Sequence, residues 1–164
     1  MWYPKATKYE IPPVWVYHSP ETAKDPNRHL ELTPTALSTI KQLKSRGVYL
    51  AILSANPRPP EEANAIMQEK VRHFRLQALF DEVHATQAYA GSKGEFMLDI
   101  LKRTGFPKGQ ALMVGDHYEW DYKPAQDRGI DALLIESGYR KTSPGAARIR
   151  RVIRSLKDVL DHIS

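Results

Sequence analysis

The chain has 164 residues, with 24 Lys and Arg, 19 Asp and Glu and no Cys. That is enough for one domain with a full core, and the missing thiols exclude disulfide frameworks, thiolate zinc sites, iron–sulfur clusters and cysteine nucleophiles. No apolar run approaches the roughly 18 residues of a membrane span, and the opening Met-Trp-Tyr-Pro-Lys-Ala-Thr-Lys lacks an apolar signal core, so the expectation is a cytoplasmic protein with no membrane contact.

In chain order, residues 1–12 predict an extended arm and residues 13–164 a single domain. Residues 14–17 (Val-Trp-Val-Tyr), set between prolines 12–13 and 20, have the β-branched and aromatic character of a buried strand. Thr33 predicts a helix cap with Pro34 at the first position, and Leu37, Ile40 and Leu43 follow the helical period up to Gly47. Residues 48–53 then read as a strand and 61–72 as a helix. Residues 83–85 read as a short strand and 93–102 as a helix. Residues 111–114 form a strand ending at Gly115 and Asp116, a helical turn follows around 124–128, and 130–135 is the next strand. Strands alternating with helices of this length predict an α/β fold with a mainly parallel sheet, built as three layers, α/β/α.

The charge is uneven. Residues 137–157 contain Arg140, Lys141, Arg148, Arg150, Arg151, Arg154 and Lys157 with no acid, so the net +5 is a basic tail on a body of net −2. Ile149, Val152, Ile153, Leu156, Val159, Leu160 and Ile163 recur at helical spacing, which predicts a basic C-terminal helix over about 145–162. Its arginines read either as a solvated face or as a docking surface, formed by Arg148, Arg150, Arg151 and Arg154, for a protein or a polyanion such as nucleic acid.

In an open parallel sheet, ligands bind beyond the carboxyl ends of the strands. That rule selects His18, Ser19, Pro20, Glu21 and Thr22 after the first strand and Ser54, Ala55 and Asn56 after the second. It adds Gly115, Asp116, His117, Glu119 and Asp121 after the fourth, with Lys93 opening the preceding helix. A hydroxyl and an ammonium suit a phosphate, and carboxylates suit a hard cation such as Mg²⁺.

Residues 50–56 (Leu-Ala-Ile-Leu-Ser-Ala-Asn), 91–94 (Gly-Ser-Lys-Gly) and 113–121 (Met-Val-Gly-Asp-His-Tyr-Glu-Trp-Asp) occur in that order. They resemble the second, third and fourth motifs of the haloacid dehalogenase (HAD) superfamily of phosphohydrolases, a likeness that continues through Ala125 and Gly129. The resemblance implies a HAD-like, Rossmann-like core acting on a phosphorylated substrate. Ser54, Ala55 and Lys93 would hold the phosphoryl group, and Asp116 and Asp121 would hold or support Mg²⁺. It also implies a nucleophilic aspartate ending the first strand and a second acid two residues later. This chain has His18 and Pro20 there, and only Thr22 matches.

Pro20 has no side-chain route for a proton, and an imidazole is a poor ligand for magnesium. His18 is therefore the remaining catalytic candidate beside Ser54 and Lys93. A phosphohistidine route, a transition-metal site with His117 and Asp116, and a base supplied by Glu21 or Glu119 all stay open. The short spacings from Thr22 to Thr33 and from Asn56 to Lys93 imply no sizeable cap domain. Two functions follow: a phosphohydrolase-like protein with weak or absent turnover, or a non-catalytic binding or assembly subunit that docks through its basic tail.

Overall fold

The computed structural model describes residues 2–4, 26–87, 92–136, 149 and 151–163. Strand β1 (Trp2–Pro4) pairs antiparallel with β2 (Leu30–Leu32), Trp2 opposite Leu32. The extended start of the chain thus includes a strand, and its partner β2 has no counterpart among the sequence-based expectations. Helix α1 covers Ala36–Ser45. The expected cap is displaced: Thr35, at φ 66°, turns the chain into the helix, while the Thr33 hydroxyl is buried without a hydrogen bond among the described residues. Gly47, at φ +78°, closes the exit, a conformation open to glycine because it lacks Cβ.

Strand β3 (Ala51–Asn56), helix α2 (Pro60–His73) and strand β4 (Glu82–Gln87) form a parallel crossover unit, with Ser54 opposite Ala85. The strand begins three residues later than the β-branched run predicts. Before it, Asp81 takes the place of a strand partner: its carboxylate accepts the Leu50 N–H at 2.8 Å and its own N–H donates to the Leu50 carbonyl at 2.8 Å. Helix α3 (Ser92–Thr104), strand β5 (Leu112–Gly115), a five-residue π turn (Tyr118–Tyr122), the short helix α4 (Lys123–Gln126) and strand β6 (Asp131–Ile135) follow. β5 and β6 are parallel, Leu112 opposite Asp131.

Successive strand residues point to opposite faces, and that alternation divides the layers. Ile52 packs with Ala63, Met67 and Val71 of α2, whereas Leu53 packs with Met97 of α3 and Ala125 of α4. On β6, Ala132 joins the α3 and α4 side, while Leu133 meets Leu43 of α1 and Val159. Helices therefore cover both faces of β3 and β6, which is why these strands read as apolar runs instead of alternating.

The C-terminal stretch differs from the single helix expected over about 145–162. Val152 and Ile153 form a short strand, β7, parallel to Leu134 and Ile135 of β6. Ser155 then caps a 3₁₀ segment, Leu156–His162. The Asp158 carboxylate accepts the N–H groups of Arg154 and Ser155, each at 3.0 Å, and this capping box fixes the chain as extended at Ser155. Two β-branched residues satisfy the open edge of β6 better than they serve a helix.

The expected strand at 14–17, with His18, Ser19, Pro20, Glu21 and Thr22, lies outside the described residues. So do Arg140, Lys141, Arg148 and Arg150. No helix among the described residues is long and apolar enough to cross a membrane.

Candidate active site

The loop after β5 organises the site. Past Gly115 the chain enters the π turn, in which the N–H groups of Asp121 and Tyr122 both donate to the His117 carbonyl, at 2.9 and 3.3 Å. This winding folds the Asp121 side chain back toward the end of β5. Its Oδ2 accepts the His117 backbone N–H at 3.0 Å, and its Oδ1 accepts Lys93 Nζ at 2.5 Å. Asp121 is 3% exposed and Lys93 9%. A charge buried this deeply requires a partner, and the two residues supply each other's.

Gly115 makes the arrangement sterically possible. A Cβ at that position would overlap the Asp121 carboxylate, so the carboxylate occupies the volume that any other residue at 115 would fill. The role of this glycine is one of close approach, and a Gly directly before Asp116 was the available sequence signal for it.

The Lys93–Asp121 bond carries the first turn of α3 to the carboxyl end of β5. Leu53 of β3 and Met113 of β5 belong to one apolar cluster with Met97 of α3. α3 follows β4, which runs parallel to β3, so its N-terminal turn lies on the side where Ser54, Ala55 and Asn56 end β3. All three are half-buried. Asn56 Oδ1 accepts the Arg58 N–H at 3.0 Å and turns the chain toward α2.

Asp116 is half-buried at the exit of β5. His117 stacks on Trp120, with ring centroids 4.8 Å apart and planes at 16°, and its Nδ1 is buried without a hydrogen-bond partner among the described residues. Glu119 is exposed on the outer side of the turn. No three His, Asp or Glu side chains are gathered to hold a metal ion among the described residues. The structure thus brings Lys93 and Asp121 into contact, and Asp116 lies in the same loop as Asp121, five residues before it. Asp121 has both oxygens engaged, by an ammonium and by a backbone N–H.

Two arginines of the basic tail face acids of the body. Arg151 Nη1 is 2.8 Å from Asp131 Oδ2, and Arg154 Nε is 3.9 Å from Glu136 Oε2. Part of the excess positive charge is therefore met within the chain.

The chain resembles proteins of one family. A family model described as haloacid dehalogenase-like hydrolase matches residues 5–135. A glyceraldehyde 3-phosphate phosphatase of Methanocaldococcus jannaschii is 27% identical over 131 residues, which is 78% of this chain and 54% of that protein. A phosphoglycolate phosphatase of Synechococcus elongatus is 29% identical over 110 residues, 67% of this chain and 48% of its own length. The chain thus spans about half the length of the curated relatives it matches. The crystal structure of a HAD phosphatase from Thermococcus onnurineus superposes with a TM-score of 0.69 at 22% identity, over 87% of this chain and 62% of that one. With the family model covering most of its length, the chain belongs to the haloacid dehalogenase-like hydrolase family.

Proposed function

We propose that this chain is a phosphohydrolase-like domain that retains an anion- and metal-binding crevice and turns over phosphate esters weakly or not at all. The observation that carries this reading is the Lys93 ammonium, held on buried Asp121 within the loop that presents Asp116. Ser54 and the backbone at Ala55 supply the hydroxyl and N–H donors expected around phosphoryl oxygens, and Lys93 supplies the charge. Asp116 offers the oxygen ligand that Mg²⁺ requires. Magnesium commonly takes one or two carboxylates together with phosphate oxygens and water, so the donor set fits. Asp121, with both oxygens committed, acts by orienting Lys93. When bound, the ion would neutralise charge on the phosphate.

Turnover fails at positions 18 and 20. His18 replaces a carboxylate nucleophile, and Pro20 has no proton to give. Residues that act as a unit lose most of the rate when one is missing. Release of inorganic phosphate from a generic aryl phosphate with Mg²⁺ tests this in the unmodified protein and in His18→Asp with Pro20→Asp. The double variant is expected to gain Mg²⁺-dependent turnover that Asp116→Ala then abolishes. High activity in the unmodified protein, or activity indifferent to Asp116, would refute the reading.

The non-catalytic docking role is a second reading. Replacement of both first-motif carboxylates favours it, and the pairing of Arg151 and Arg154 with Asp131 and Glu136 weighs against a fully open basic surface.

A further inference from the structure

We infer that Arg128 is a positioning residue of the Lys93 site, acting as a clamp that holds the first turn of α3 in place behind the ammonium. Its guanidinium lies flat against Gly94, so closely that a Cβ at 94 would fall inside it. Nη1 donates to the Pro124 carbonyl at 3.1 Å. Nη2 and Nε both reach Glu95 Oε1, at 2.5 and 3.2 Å. The segment from Asp121 to Arg128 therefore grips three consecutive residues of α3 at two points: Asp121 takes the side chain of 93, and Arg128 takes the backbone of 94 and the side chain of 95.

The two grips do different work. A lysine reaches its partner along a flexible four-carbon stem, so the Asp121 bond alone does not fix the backbone from which the stem departs. An ammonium that serves an incoming anion must also share its hydrogen bonds between that anion and Asp121. The planar, five-donor guanidinium of Arg128 is suited to hold the helix turn still while that sharing takes place. Glu95 is 69% exposed and adds little to the hold. The seat itself is the Pro124 carbonyl and the bare face of Gly94. A side chain at 94 would force the guanidinium, the far end of a flexible side chain, to swing off this seat, so the two positions are linked through that contact.

The functional weight of the clamp rests on the reading of Lys93 as the anion-holding group, and the test separates the two. In ¹⁵N-labelled protein, the side-chain ammonium signal of Lys93 reports its rigid pairing with Asp121, and the amide order parameter of Gly94 reports the turn. Arg128→Ala, and Arg128→Lys, which keeps the charge and loses the flat seat, are expected to broaden the ammonium signal beyond detection and to lower the Gly94 order parameter. Signals of Val114 and Leu133 should stay in place. Gly94→Ala should likewise broaden the ammonium signal of Lys93, and combined with Arg128→Ala it should add nothing further, as for two halves of one contact. Glu95→Gln should leave the signal intact. Where the unmodified protein binds inorganic phosphate, the Arg128 variants are expected to bind it about tenfold more weakly or worse.

An unchanged Lys93 signal in Arg128→Ala, or a loss spread evenly over the core, would overturn the clamp. Absence of phosphate binding in the unmodified protein would overturn the anion reading alone, and the ammonium signal would still decide the role of Arg128.

Discussion

Lys93 Nζ and Asp121 Oδ1 lie 2.5 Å apart, and both side chains are almost wholly buried. Removing one member leaves the other charge without compensation in a poorly solvated place. Asp121→Ala is expected to cost about 3–5 kcal/mol of folding stability, the scale of a broken buried pair. Lys93→Met leaves Asp121 with its His117 N–H donor and should cost less. The double variant should lie closer to the worse single variant than to the sum of the two, because the penalty of an orphaned charge is then paid by neither residue. Urea unfolding of the four proteins measures this, and additive losses would mean that the two groups do not interact in solution.

Gly115 is tested by adding one carbon. Gly115→Ala places a methyl group where the Asp121 carboxylate sits, and the carboxylate must withdraw from Lys93, from the His117 N–H, or from both. A cost of about 1–3 kcal/mol is expected from the overlap, together with a weakening of inorganic phosphate binding beyond what the stability loss explains. Calorimetric titration with phosphate at a temperature where both proteins are folded separates the two effects. Binding equal to that of the parent would place the anion elsewhere.

Much of the α/β architecture was legible because its signals are local. The helical runs at 61–72 and 93–102 and the apolar run at 130–135 each keep one pattern, and their ends are marked by Pro, Gly or charge. Ser54, Lys93, Asp116 and Asp121 stood out by order along the chain, since a parallel sheet gathers strand ends that are distant in sequence. The tail misled for a physical reason: Ile149, Val152, Ile153 and Leu156 satisfy a helical period, yet the unpaired edge of β6 selects the β-branched pair as a strand. Ser155 and Asp158 carried the correct boundary as a capping box. The fit of Arg128 onto Gly94 was not legible at all, because nothing local in either residue type signals the other across 34 positions.

A second polar cluster sets the expected response to pH. Glu82 accepts a hydrogen bond from the Tyr49 hydroxyl, faces His84 and is paired with Arg103 Nη2 at 2.7 Å. Arg103, then Tyr49 and His84, hold its carboxyl near a pKa of about 2, against 4.5 for an ordinary glutamate. A carboxylate depressed in the folded state contributes stability that is complete above the unfolded value and is lost as pH falls from about 4.5 toward about 2. The Tyr49 hydroxyl, donating to Glu82, is pushed up to about 12, so its contribution is present below pH 10 and fades above it. Glu82→Gln is expected to flatten both limbs of a stability–pH curve, the acid one because the depressed carboxyl is gone and the alkaline one because the Tyr49 hydroxyl loses the carboxylate that raises it. An acid limb that keeps its slope in this variant would assign the loss to other carboxylates.

The tail gives a prediction with a definite sign. Arg151 and Arg154 are exposed and face Asp131 and Glu136 across 2.8 and 3.9 Å, and such solvent-screened surface pairs contribute little to folding. For a polyanion the same carboxylates are competitors, since each phosphate must draw an arginine away from an existing partner. If the tail docks nucleic acid, Asp131→Asn with Glu136→Gln should bind a DNA duplex more tightly than the unmodified protein. The double variant should also show a steeper fall of log K with log salt, because two more cations are then available to displace counterions. Arg151→Glu with Arg154→Glu should abolish binding while leaving thermal stability almost unchanged. Fluorescence anisotropy with a labelled duplex at several salt concentrations reads all three proteins. Weaker binding by the Asn and Gln variant, or binding indifferent to the two arginines, would remove the tail from the list of docking surfaces and leave its charge as a solvated edge closing onto β6.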